Sequence, residues 1–258
     1  MKKRRIIQTI SLLLLHSSWG PELKWLCNPV LSCHSCVLSW FACPIGVFVH
    51  FSGYHLFPFL PLGMVLLVGV FLGRLLCGWA CPFGFLQDLL HKVPTIKISL
   101  PPWTAYIKYA LLFLLVILTP CLWGESTMYS FCRICPAGTL QASLPTAIAS
   151  GFSTFQMATL VRWVVLAAIL AFAVVSSRSF CKVLCPLGAI LAPLNYLSFW
   201  VIKMPRETCL SCKKCDAACS MNIQPSVRIN LKVPANRDPE CIVCHECQLA
   251  CVHGDKPK

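Results

Sequence analysis

The chain has 258 residues, 57% of them hydrophobic and only 12% charged, with a net charge of +13. Soluble globular chains carry about a quarter charged residues, so this balance argues against a soluble enzyme and predicts an integral membrane protein. Nineteen cysteines are too many for one thiol nucleophile and, beside long apolar runs, do not fit a small disulfide scaffold, which leaves metal ligation.

Four apolar segments, near residues 6–20, 58–76, 103–122 and 160–177, approach the roughly 20 residues that cross a bilayer as a helix. The basic start Met1-Lys2-Lys3-Arg4-Arg5 resembles the head of a signal peptide. No small-x-small cleavage site follows in His16-Ser17-Ser18-Trp19-Gly20-Pro21, so an uncleaved anchor is expected. With residues 2–5 in the cytoplasm and four alternating spans, the inner loops receive Arg74, Lys92, Lys97, Lys108, Arg178 and Lys182. The outer loops receive Lys24, Arg133 and Arg162. The bias predicts a multi-pass protein of the bacterial cytoplasmic membrane with both termini in the cytoplasm. Residues 1–202 hold 13 Lys and Arg against the three acids Glu22, Asp88 and Glu125. That excess is read as topological; without aromatic residues interleaved in a basic stripe, no nucleic-acid partner is expected.

Each apolar run lies beside a Cys-Pro-x-Gly motif: Cys43-Pro44-Ile45-Gly46, Cys81-Pro82-Phe83-Gly84, Cys135-Pro136-Ala137-Gly138 and Cys185-Pro186-Leu187-Gly188. Proline suits the first turn of a helix. A thiolate there meets free N–H groups and the positive end of the helix dipole, and glycine lets the backbone approach closely. The stretches that follow, 83–90 and 187–197, are too short to cross alone and read as half-helices. The motifs alternate outer, inner, outer, inner, an internal duplication of a membrane domain 1–202 into about 1–100 and 101–202, divided at Ser99-Leu100-Pro101-Pro102. Half-motifs meeting at each face complete a four-thiolate site. The inner one is Cys77, Cys81, Cys181 and Cys185. The outer one is Cys36, Cys43, Cys132 and Cys135, with Cys33 competing with Cys36, and Cys27 and Cys121 left over. The alternative is that these thiols are buried small hydrophobes, or disulfides on the outer side. His34, His50 and His55 are candidate proton carriers for a quinol, or simply structural. Arg74 is a topology anchor or a counter-charge for a cluster.

Beyond residue 202 the runs Cys209-x2-Cys212-x2-Cys215-x3-Cys219 and Cys241-x2-Cys244-x2-Cys247-x3-Cys251 have the spacing of bacterial ferredoxins that hold two 4Fe-4S clusters. Cys219 is expected to complete the cluster of Cys241, Cys244 and Cys247, and Cys251 that of Cys209, Cys212 and Cys215. The proline usual after the fourth cysteine is replaced by Ser220 and Val252. Zinc sites use a longer gap between Cys-x2-Cys pairs. Cys241-Ile242-Val243-Cys244-His245 mimics a haem attachment sequence, but its thiols already belong to the ferredoxin pattern. The expected fold is therefore an α-helical integral membrane protein of about four transmembrane helices in a duplicated arrangement. A C-terminal two-cluster ferredoxin-like domain follows at 203–258, so two clusters are expected there and up to two more in the membrane domain. No nucleotide loop, catalytic triad or carboxylate pair is present to support hydrolytic chemistry.

The octapeptides Cys-Gly-Trp-Ala-Cys-Pro-Phe-Gly (77–84) and Cys-Lys-Val-Leu-Cys-Pro-Leu-Gly (181–188), with the expected spans and the C-terminal double run, resemble the NapH-like membrane polyferredoxins. NosR-type and CcoG-type proteins have related arrangements. The resemblance implies quinol oxidation, electron delivery to a periplasmic reductase, or metallocentre assembly; Cys33-His34-Ser35-Cys36 is extra to the simplest pattern. The expectation is an electron-transfer subunit, a quinol dehydrogenase component being one candidate. It would relay electrons between the cytoplasmic side or the quinone pool and an extracytoplasmic reductase or other redox subunit. Lys213, Lys214, Arg228 and Lys232 would face a soluble donor. An assembly factor that reduces metal or thiols, or a redox sensor, are the competing expectations.

Overall fold

The structure, a computed structural model, describes residues 2–17, 23–36, 38–124, 127–149, 157–202, 204, 209 and 212–251. The first helix, Lys2–Leu15, folds onto the body of the protein through its polar side. Arg4 and Gln8 are buried, and Arg4 Nε and Gln8 Nε2 both donate to the Gly78 carbonyl at 3.0 Å. Two short parallel strands, Leu23–Cys27 and Phe41–Ala42, bracket the loop that carries Cys33 and Cys36. Helix Pro44–Gly53 then starts directly after Cys43.

Two blocks of similar order follow. The first is Phe59–Leu72, Leu75–Trp79 and Pro82–Leu90; the second is Met157–Val175, Ser179–Val183 and Pro186–Leu194. In each, a longer apolar helix breaks and a five-residue helix carries the first cysteine. The second cysteine then caps a helix opened by proline. The first break falls at Gly73, whose φ of +60° no β-carbon would tolerate here, because a Cβ would lie 2.5 Å from Asn195 Oδ1.

Between the blocks runs a continuous helical segment, Pro102–Trp123. It opens as a 3-10 turn over Pro102–Tyr106 and widens to a π-helix over Leu112–Leu118. Pro120 offers no N–H to the carbonyl of Val116 four residues earlier, and the wider turn accommodates that gap. The same event recurs where Thr139–Ser143 is π-helical ahead of Pro145 in the helix Leu144–Ala149.

The expectation of about four transmembrane helices does not hold. Among the described residues only Pro102–Trp123 is long and apolar enough to cross a bilayer. Pro44–Gly53, Phe59–Leu72 and Thr159–Val175 are shorter apolar helices. Fourteen residues of helix at Phe59–Leu72 rise only about 21 Å, short of a hydrocarbon core of about 30 Å. The helix over the run expected at 6–20 stops at Leu15 and is preceded by the buried Arg4, and residues 18–20 lie outside those described. Arg74, Lys108 and Arg178, which the charge count placed in inner loops, are buried.

The C-terminal segment has an apolar cluster of its own, with Ile202, Cys215, Ile229 and Val243, and also packs through Met221 and Ile242 on the core of Cys43, Val65, Cys77 and Leu187. Residues 203, 205–208, 210–211 and 252–258, Val252 among them, lie outside the described residues.

Candidate metal centre

The two five-residue helices and the two proline-started helices bring Cys77, Cys81, Cys181 and Cys185 together. All four are buried and lie within electrostatic reach of one another. Cys81 Sγ accepts from the Gly84 amide at 3.4 Å and Cys185 Sγ from the Gly188 amide at 3.3 Å. This is the helix-cap geometry expected of Cys-Pro-x-Gly. Gln87 Nε2 donates to Cys181 Sγ at 3.2 Å, while its Oε1 accepts from the Phe180 amide at 3.2 Å. Among the described residues no three His, Cys, Asp or Glu side chains close around a single ion. The donor set is four buried thiols at helix ends, the ligand type that 4Fe-4S clusters use.

Buried cations surround this quartet. Arg178 forms a two-point pair with Asp88, at 2.7 and 2.6 Å, and donates to the Cys77 carbonyl at 3.0 Å. Arg74 pairs with Glu240 at 3.2 Å and donates to the Pro239 carbonyl at 2.7 Å. Lys108 reaches the same Glu240, and Arg4 bridges Asp88 and Glu246. Burial by itself would raise the Asp88 carboxyl, but Arg178 and Arg4 hold it below its ordinary value. Burial likewise opposes Arg74 and Lys108 at Glu240, and the cations prevail there too. The sequence reading assigned no role at this site to Arg178, Asp88, Lys108, Glu240 or Gln87, and left Arg74 as either a topology anchor or a counter-charge for a cluster. One signal was available: an arginine stands three residues before the first cysteine of both octapeptides, at Arg74 and Arg178.

A second quartet lines a cavity of about 410 Å³: Cys33, Cys43, Cys132 and Cys135, with His34, His50, Arg133 and Arg162 in the wall. These four thiols also lie within electrostatic reach of one another. Cys36 is buried but is not part of the cavity lining. The Cys33 amide is fixed by Gln141 Oε1 at 2.6 Å, which turns Cys33 toward Gly138, where a Cβ would sit 3.5 Å from its sulfur. His34 occupies the space over Gly46. His55 is elsewhere, with Nδ1 at 3.4 Å from Cys121 Sγ.

In the C-terminal segment Cys219, Cys241, Cys244 and Cys247 surround a small cavity of about 20 Å³, with Val243 N donating to Cys241 Sγ at 3.4 Å. Burial first, then neighbouring thiols, pushes Cys247 up to about 12. Cys215 is buried within reach of Cys247, while Cys209 and Cys251 are half-buried and Cys212 is exposed. The haem-like His245 accepts from Trp200 Nε1 at 3.2 Å and meets Gln248 Oε1 at 2.9 Å, so both ring nitrogens are engaged. This segment abuts the central quartet: Trp79 Nε1 donates to the Val243 carbonyl at 3.0 Å, and a Cβ on Gly78 would lie 2.3 Å from the Ile242 carbonyl oxygen.

Residues 54–101 and 159–205 match the family of 4Fe-4S binding domains. Both segments contain one Arg-x2-Cys-x3-Cys-Pro-x-Gly motif, so the recognisable cluster-binding domain is the body of the chain. This corrects the expectation of a C-terminal one. The matched segments support a 4Fe-4S-binding protein. More particularly, the chain is similar to NirI and NosR, each of which it covers to only about a quarter of its length. It is 30% identical over 198 residues to an uncharacterized protein of Methanocaldococcus jannaschii, covering 73% of each chain. It is 32% identical to the protein NirI of Paracoccus denitrificans, over 70% of this chain but 25% of NirI. It is 25% identical to the putative electron transport protein YccM of Escherichia coli, over 76% of this chain and 54% of YccM. No solved structure matches the chain.

Proposed function

We propose that this chain is a membrane-associated iron–sulfur electron-transfer component, passing electrons between a cytoplasmic or quinone-linked donor and an extracytoplasmic redox partner. Cys77, Cys81, Cys181 and Cys185 hold a central 4Fe-4S cluster, and Cys33, Cys43, Cys132 and Cys135 hold a second. The cavity wall favours Cys33 over Cys36. In the C-terminal segment Cys241, Cys244 and Cys247 with Cys219, and Cys209, Cys212 and Cys215 with Cys251, hold two more. Such clusters, when bound, exchange single electrons at potentials set by charge, hydrogen bonds to sulfur and solvent exposure. The protein's part is to keep the thiols buried, donate to them from Gly84, Gly188 and Gln87, and supply counter-charge from Arg74 and Arg178.

The observation that carries this reading is the meeting of the two 4Fe-4S-matched segments in one buried four-thiol site. The likeness to a putative electron transport protein supports the transfer role. Membrane association is supported by Pro102–Trp123, about 33 Å long. Trp103 and Tyr106 are exposed at one end and Trp123 at the other, the placing of an aromatic belt. Phe59, Leu67, Phe71, Phe113 and Val164 add apolar surface that water does not favour.

The test is anaerobic purification in detergent with iron and sulfide analysis, EPR of the reduced protein, and the variants Cys81→Ser and Cys185→Ser. Wild type should hold about 16 irons, four cubanes of four. Each variant should lose one cluster signal and stop electron flux. Full iron and normal flux in both variants would refute the assignment.

A further inference from the structure

We propose that Arg74 and Arg178 together set the reduction potential of the group held by the central quartet. The inference rests on the reading of Cys77, Cys81, Cys181 and Cys185 as cluster ligands.

The two arginines occupy equivalent positions and are crossed in space. Arg178, ahead of Cys181, reaches the first block: it donates to the Cys77 carbonyl at 3.0 Å. A Cβ on Gly84 would stand 3.4 Å from its Nη1 and 3.2 Å from that carbonyl. Arg74, ahead of Cys77, reaches the second block, where a Cβ on Gly188 would stand 3.1 Å from its Nη2 and 3.3 Å from the Cys181 carbonyl. Each glycine of Cys-Pro-x-Gly thus leaves the room that the other block's guanidinium fills. Arg74 is 1% exposed and Arg178 0%, and a guanidinium stays charged wherever it is buried. Arg74 lies within electrostatic reach of both Cys77 and Cys181, and Arg178 of Cys181.

Ion pairing to Asp88 and Glu240 leaves part of this charge available. In the network of Arg4, Arg74, Lys108 and Arg178 with Asp88, Glu240 and Glu246, cations outnumber carboxylates. Arg74 Nε is also buried with no hydrogen-bond partner. A buried donor of this kind is costly when idle, and it stands beside a site built for an anionic group. A reduced iron–sulfur core carries one more negative charge than the oxidised one. Fixed positive charge in a low-dielectric surrounding therefore favours the reduced form.

The test is an EPR-monitored redox titration of the full-length, anaerobically purified protein. The central signal is identified as the one that Cys81→Ser removes. Arg74→Gln and Arg178→Gln should each lower the reduced-to-oxidised ratio at a fixed poise at least tenfold, about 59 mV for a one-electron couple. Arg178→Lys, which keeps the charge, should recover most of that shift. Glu240→Gln and Asp88→Asn strip the guanidiniums of their counter-ions and should move the midpoint the opposite way. A purely structural role would lose iron without this reversal of sign. If the arginine variants lose the cluster, the carboxylate variants decide: an upward shift supports the inference and an unmoved midpoint overturns it. Variants that keep full iron and a wild-type midpoint also overturn it. A Cys81→Ser spectrum identical to wild type would instead overturn the ligand reading itself, and this inference with it.

Discussion

Gly78 shows how much one missing side chain decides. It lies between Cys77 and Trp79, its carbonyl takes hydrogen bonds from Arg4 and Gln8, and Ile242 packs against its α-carbon. A methyl group 2.3 Å from a backbone oxygen forces the two cysteine loops apart. Gly78→Ala should destabilise the protein by about 1–3 kcal/mol, read as a lower melting temperature in detergent. Gly63 is the control, since it sits in the helix Phe59–Leu72 with nothing within 4 Å of its added Cβ. Gly63→Ala should gain about 0.5–1 kcal/mol. Equal responses at the two sites would refute the close-approach argument. The choice between Cys33 and Cys36 is also a residue-scale matter. Spacing left both open, and Gln141, 108 residues along the chain, fixes the Cys33 backbone at the cavity.

Among elements, the junction between the cysteine helices and the C-terminal segment is tied by carboxylates whose ionisation the buried cations favour. Asp88 and Glu240 titrate below their ordinary values of 3.8 and 4.5. A carboxyl depressed in the folded state contributes stability that is complete above its unfolded value and is lost as pH falls through the folded one. The docking of the C-terminal segment, followed by hydrogen exchange, should therefore be constant from neutral pH down to about pH 5 and weaken below about pH 4.5. Glu240→Gln should flatten that acid limb. A wild-type profile that stays equally tight well below about pH 4 would contradict the pairing. Elements also explain the shortened helices: Gly73 turns the chain inward so that Arg74 enters the core rather than the headgroup region.

For the whole molecule, the apolar composition misled on the number of spans. A hydropathy run does not distinguish a bilayer crossing from a short helix lying against neighbours, and the helices over three of the four runs end early, at Leu15, Leu72 and Val175. With the one long helix, Pro102–Trp123, exposed along much of its length, the protein should stay in the membrane pellet through an alkaline carbonate wash. Its release into the supernatant would remove the membrane assignment.

The sequence by itself carried the 4Fe-4S binding pattern and the helix caps. Cys-x3-Cys-Pro-x-Gly is a short-range pattern, and short-range patterns specify helix caps directly. The partnerships across the chain were decided only by the tertiary structure: Arg178 with Asp88 across 90 residues, Arg74 with Pro239 across 165, Arg4 with Glu246 across 242. Those depend on which surfaces meet when apolar faces are buried together, and no local spacing carries that information.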